Sequence, residues 1–210
     1  MNDHKDAIEE DETGKSEARW ALIAGACEEA GREAAHALAR HGVNLHLMDT
    51  NGGELAALTD EIEHSFDIET ECHVMDLREH LNAEVLALEC DNADILIVCP
   101  GPAPMGGLME LDDDDWRKGF ESRVTATISL VREFYETLQE RGAGTIVLDL
   151  SLPEPDLESD TILHSTAGGA LSALVHALEK QSVETGVRVL EINTATARSV
   201  IDGLMKEQSN

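Results

Sequence analysis

The residues best placed to do chemistry lie in one short stretch, Gly25-Ala26-Cys27-Glu28-Glu29-Ala30-Gly31, and at Asp49 beyond it. The apolar run Ala21-Leu22-Ile23-Ala24 precedes this stretch, as in a strand buried on both faces. A segment of helical spacing follows, with Ala30, Ala34 and Leu38 on one side. Gly42 closes it, and the second apolar run, Val43 to Met48, ends on Asp49. Strand, glycine turn, helix, strand and terminal acid form the order of a dinucleotide-binding βαβ unit. In such a unit the first and last glycines shape the turn and the helix contact, while the middle one lets the backbone approach a pyrophosphate. Here Gly25 and Gly31 fill the outer positions and Glu29 the middle one. A carboxylate at ~4 Å from a phosphate, at an effective dielectric near ~20, opposes binding by about 4 kcal/mol. The pattern therefore predicts a nucleotide-binding frame whose phosphate position is obstructed by Glu29.

Other chemistry-bearing residue types show no ligand spacing. Cys27, Cys72, Cys90 and Cys99 make no CxxC pair and fit reduced thiols. The nine histidines include no HExxH, and His36, His41 and His46 recur at a period that does not stack on a helix face. No metal site is expected.

The elements that must position the glycine turn alternate along the chain. After Asp49 come a turn at Asn51-Gly52-Gly53, a helix over 54–65, a strand over 68–75, and a short helix over 80–89. A strongly apolar strand follows over 93–98, then a Pro/Gly loop over 99–107. Asp112 to Asp115 then supply an acidic helix start that complements the helix dipole. The long helix to residue 140 carries Trp116, Phe120, Val124, Ile128, Val131, Tyr135 and Leu138 at helical spacing. A strand over 145–150, a proline-containing loop over 151–160, a helix over 161–184 and a strand over 187–192 complete the pattern. The remaining tail has room for one short helix. This alternation predicts an α/β doubly wound parallel sheet of Rossmann type, in the order 3-2-1-4-5-6.

Composition narrows the setting. The chain has 210 residues, 43 of them acidic against 15 basic, for a net charge of -28. Nucleic acid and anionic membrane are therefore poor partners. With ten arginines, five lysines and acid spread along the whole length, the chain suits a salt-rich cytoplasm, where the Debye length is ~3 Å. A basic protein partner is the competing explanation. Residues 1–18 read as a disordered acidic tail and 19–210 as one domain. No apolar segment approaches membrane-spanning length and no signal-peptide core is present, so a cytoplasmic protein is expected.

From about residue 19 to 197 the chain resembles the short-chain dehydrogenase/reductase family. The resemblance rests on Gly25 and Gly31, on Asp49, and on Asp76-Leu77 after the third strand. Asp94-Ile95-Leu96-Ile97 before a glycine-containing loop, Trp116 opening the long helix and Val187-Arg188-Val189 in the sixth strand also match. It implies a proton relay of serine, tyrosine and lysine, an asparagine in the long helix, and NAD or NADP as cofactor. Asp49 would bond the adenosine ribose and favour NAD, Asp76 would touch the adenine, and Gly101 would belong to the loop after the fourth strand. On this resemblance Ser151 keeps the serine, His164 stands at the tyrosine, Gly168 at the lysine and Arg123 at the asparagine. The chain also stops before the family's usual seventh strand.

These departures imply that catalysis, and with it the cofactor, has been lost. A glycine lacks the ammonium that lowers the tyrosine pKa, and an imidazole is shorter than a phenol. The expected role is a non-catalytic structural or regulatory subunit, with Ser151, His164 and Arg123 as vestigial positions and the last two as ordinary surface or helix-start residues. The alternative is a divergent NAD-dependent oxidoreductase using Ser151 and His164. In the family, the long helix and the helix after the serine pair across a two-fold axis. The implied partner is a second copy, or an intact homologue, docked on 112–140 and 161–184.

Overall fold

The computed structural model describes residues 19–151 and 161–207; the acidic tail and most of the proline-containing loop lie outside them. Six strands form one parallel sheet. They are β1 (Trp20–Ala24), β2 (Asn44–Asp49), β3 (Thr70–Val74), β4 (Ala93–Val98), β5 (Gly144–Asp149) and β6 (Val187–Ile192). Their order is β3-β2-β1-β4-β5-β6, as the alternation predicts. The helices are α1 (Glu29–Arg40), α2 (Gly52–Ser65), α3 (Asn82–Glu89), α4 (Asp113–Phe120), α5 (Ala126–Arg141), α6 (Ile162–Gln181) and α7 (Ala197–Glu207).

The period-2 alternation of β1 shows how the layers form. Ala21 and Ile23 face one core with α1, α2 and α7, through Leu38, Leu58 and Ile201. Leu22 and Ala24 face the other with α3, α5 and α6, through Leu86, Phe134 and Val175. β1 is buried on both faces because it sits between β2 and β4. Parallel strands joined by helices on both faces bring all their C-terminal ends to one edge, where the polar residues after β1, β2, β4 and β5 gather.

The structure revises the long helix. Its acidic start forms a full capping box between Asp112 and Asp115, but residues Glu121–Thr125 make a turn of π-helix between α4 and α5. The wider turn rotates the helix just ahead of Ile128, which is 42% exposed while Thr127 and Leu130 are buried. β3, read as 68–75, is limited to Thr70–Val74, an edge strand half open to solvent. The helix read as 161–184 ends at Gln181 and passes into a short 3₁₀ turn.

Candidate functional site at the carboxyl edge of the sheet

Gly25 turns the chain out of β1 with φ +80°, and a Cβ there would lie 1.9 Å from the Cys99 carbonyl oxygen. At Gly31 a Cβ would meet the Gly25 carbonyl oxygen at 2.3 Å. Both glycines are required by close approach: one lets β1 and the loop after β4 meet, the other seats α1 on the turn. The first cleft, about 400 Å³, opens beside this turn and is lined by Gly25, Met48, Asp49, Met75, Asp76 and Val98. Asp49 Oδ2 accepts the Cys27 backbone N–H at 3.0 Å, and Oδ1 accepts that of Asn51 at 3.1 Å. Asp76 is held by Arg78 at 2.6 Å, and that hydrogen bond keeps its carboxyl below the usual carboxylate range. Four of the predicted residues, Gly25, Asp49, Asp76 and Gly101, thus share one cleft.

A second cavity, about 650 Å³, adjoins it and contains Arg123, Asp149, Ser151, His164 and Thr194. Glu28 lines both spaces. It is the residue before α1, in extended backbone (φ −64°, ψ 154°), and a Cβ on Gly101 would lie 3.7 Å from its Oε1. Glu29 is the first helical residue, is exposed, and lines the second cavity alone. The carboxylate at the waist between the two spaces is therefore that of Glu28, in place of the Glu29 expected from the glycine pattern. Burial, then the neighbouring Asp49, raises the Glu28 carboxyl above its ordinary value.

Arg123 and His164 are not surface residues, each being 4% exposed, although His164 does lie in the first turn of α6, one of the two places expected for it. Arg123 sits in the π turn and donates from Nη1 to the carbonyls of Pro100 (3.0 Å) and Gly101 (2.6 Å). Its burial lowers its pKa, opposed by Asp149 and Glu28, the two acids facing it. His164 Nε2 accepts the Ala103 backbone N–H at 3.2 Å, which leaves the ring proton on Nδ1. Burial, with Arg123 nearby, holds the ring below its ordinary pKa, so it is neutral. His164 Nδ1 and Arg123 Nε have no hydrogen-bond partner among the described residues.

Asp149 is the site residue missed from sequence. It ends β5, is 5% exposed, and its Oδ1 accepts both the hydroxyl of Ser151 at 2.5 Å and the Ser151 N–H at 2.9 Å. Burial pushes its carboxyl up. The signal was available: an acid directly after Thr145-Ile146-Val147-Leu148 in a central strand has no water to solvate it. Ser151 Oγ also accepts the Thr194 backbone N–H at 2.8 Å, so its donor and an acceptor are both engaged.

A parallel sheet of this order, a glycine turn after β1 and a serine after β5 are the marks of one family, and the model for "short chain dehydrogenase" matches residues 19–209. The chain belongs to the short-chain dehydrogenase family. Similar proteins include an uncharacterised oxidoreductase of Staphylococcus saprophyticus, 22% identical over 87% of this chain and 80% of that protein. Another is the 2-keto-3-deoxy-L-fuconate dehydrogenase of Xanthomonas campestris, 26% identical over 85% of this chain and 58% of the relative. Among solved structures, L-sorbose reductase from Gluconobacter frateurii, complexed with NADPH and L-sorbose, superposes with a TM-score of 0.75. It is 20% identical and matches 84% of this chain and 68% of that one. An alcohol dehydrogenase from Thermococcus sibiricus complexed with 5-hydroxy-NADP gives 0.77 at 19% identity, covering 90% and 91%. Among the described residues of this chain, no helix is long and apolar enough to cross a membrane.

Proposed function

We propose that this chain is a short-chain-dehydrogenase domain that does not transfer hydride and serves as a structural or regulatory subunit. The observation that carries this reading is the engagement of Ser151 and His164 inside the fold. Ser151 spends its proton on Asp149 and a lone pair on the Thr194 N–H, and His164 spends Nε2 on the Ala103 N–H. A proton relay needs a group whose proton can leave and return. His164 keeps one unpartnered proton, on Nδ1, but Gly168 one turn later offers no ammonium to assist or replenish a proton transfer from it.

A nicotinamide dinucleotide is the class of cofactor that relatives of this fold hold, and it would bring hydride transfer. The adenosine end fits: Gly25, Asp49 and Asp76 share a cleft of suitable size. The pyrophosphate end does not, because Glu28 crosses the waist and Glu29 stands at the helix start where an anion would sit. Of the two dinucleotides, NAD is the one Asp49 would accept. Assays with NADH and NADPH against a panel of ketones and aldehydes should give no turnover. Turnover abolished by both Ser151→Ala and His164→Ala would overturn the proposal.

One observation favours the second reading, a divergent oxidoreductase. The two orphaned donors, His164 Nδ1–H and Arg123 Nε–H, are buried in the wall of the larger cavity and suit a ligand with acceptor oxygens.

A further inference from the structure

Away from the cleft, at the β3 edge of the sheet, three side chains converge that no part of the family reading uses. His46 lies on β2 and His73 on β3, in strands whose register pairs His46 with Glu71 and Met48 with His73. Period-2 alternation puts His46, Glu71 and His73 on one face. Cys90, at the end of α3, packs against that face, and one ligand atom from each of His46, His73 and Cys90 lies within 4.8 Å of the others. His46 and Cys90 are fully buried.

The hydrogen bonds around the two rings fix their protons. His46 Nε2 lies 2.8 Å from the Asn92 side-chain oxygen and must donate to it; His73 Nδ1 lies 3.1 Å from Glu89 Oε2 and must donate there. The inward atoms, His46 Nδ1 and His73 Nε2, are then both lone pairs, facing each other at 3.2 Å. Cys90 Sγ is 3.6 Å from His73 Nε2. Two lone pairs at that distance repel unless a cation lies between them. With metal–nitrogen bonds of about 2.0–2.1 Å and a metal–sulfur bond of about 2.3 Å, a tetrahedral ion sets N···N near 3.4 Å and N···S near 3.6 Å.

We infer that His46, His73 and Cys90 form a binding site for a zinc-class divalent ion that staples edge strand β3 to β2 and α3. Imidazole with thiolate is the donor set that selects such an ion over hard cations. Asn92 and Glu89 orient the rings as outer-shell partners do, and the Trp20 ring covers His46 at 4.5 Å. The fourth position faces Glu71, whose Oε2 is 3.5 Å from His46 Nδ1. Binding releases the Cys90 thiol proton to solvent. The expectation of no metal site is revised because the three ligands are scattered in sequence and meet only through strand pairing.

The test uses the full chain, chelator-treated under a reductant that binds no metal, and titrated with Co²⁺ and with Zn²⁺. One Co²⁺ per chain should bind with d–d bands of tetrahedral intensity and a thiolate-to-cobalt charge-transfer band. Cys90→Ser should remove the charge-transfer band, Cys72→Ser should leave it, and His73→Gln, at the rim, should weaken binding at least tenfold. Zn²⁺ at about a hundredfold excess over Kd should raise the melting midpoint by roughly 5–10 °C, and should not do so in His73→Gln. No binding, the pale spectrum of an octahedral ion on surface carboxylates, or a charge-transfer band surviving in a folded Cys90→Ser variant would overturn the assignment.

Discussion

The hydroxyl of Ser151 lies 2.5 Å from the buried carboxylate of Asp149, and the same carboxylate faces the guanidinium of Arg123. A serine held by a buried acid is a fixed element of the fold. Glu28 acts on Arg123 as well, the three charged groups line one cavity, and each shifts toward neutrality through burial. Arg123 offsets both carboxylates and ties the loop after β4 to the π turn.

Removing that cation should be costly. Arg123→Ala leaves buried Asp149 and half-buried Glu28 without a counter-charge and two carbonyls without a donor, and is expected to lower stability by about 3–5 kcal/mol. Arg123→Lys keeps the charge and loses the fork, so its loss should be smaller. Urea unfolding of the two variants checks the order. A loss within ~0.5 kcal/mol for Arg123→Ala would mean the cluster is solvated.

Glu28, more than Glu29, should control dinucleotide affinity. NADH is expected to bind no tighter than millimolar, and NADPH not at all. Glu28→Gln should tighten NADH by at least tenfold, about 1.4 kcal/mol, and Glu29→Gln by less, since Glu29 is exposed beside the second cavity alone. Calorimetry measures both. A wild-type dissociation constant near ~10 μM would show that the waist admits a pyrophosphate.

How far these residues were legible follows from what sets each one. The sheet order was readable because each apolar run is bounded by turn residues and separated by helical spacing, both local properties. Gly25 and Gly31 were readable because close approach restricts residue type. The choice of Glu28 over Glu29 was not, since it depends on one residue's backbone angles at the helix start. Nor was the burial of Arg123 and His164, which comes from the loop after β4 folding over them. The His46, His73 and Cys90 group was invisible for the same reason: β2, β3 and α3 bring them together, and no spacing in the chain records it.

The raised carboxyls of Glu28 and Asp149 set the sign of a pH effect. An acid whose pKa is higher folded than unfolded holds its proton longer in the folded chain. Its stabilising effect is complete below the ordinary carboxylate range and is lost as pH rises through the folded value. Asp76, lowered by Arg78, acts the other way, losing stability only as pH falls below that range. For these carboxyls, lowering pH from ~7 toward ~5 raises the melting midpoint. His46 and His164, whose rings burial holds below their ordinary pKa, act against it, so the comparison that isolates Glu28 is wild type against Glu28→Gln. Glu28→Gln should be more stable at pH ~7 and show a smaller rise. A variant with the wild-type slope would assign the effect to the general acidity of the chain.

The final prediction concerns association through α4, α5 and α6. On the outer face of α6, Thr166, Gly169, Ala173 and Ala177 are exposed and small. A Cβ on Gly169 would meet nothing within 4 Å, so packing within the chain does not require that glycine. Yet a mid-helix glycine costs about 1 kcal/mol relative to alanine. Close approach of another helix is what would make its absence of side chain useful, and Ile128, 42% exposed on α5, adds apolar surface nearby. A second copy, or an intact homologue, is the partner we propose for this face. Net charge of -28 opposes self-association in dilute buffer, so the complex should strengthen as KCl rises from ~0.1 to ~2 M. Light scattering in high salt should show a dimer at ~50 μM, and Gly169→Leu should dissociate it while leaving the melting midpoint of the monomer unchanged or higher. A monomer under those conditions, with no homologue co-purifying from the native host, would refute the subunit reading.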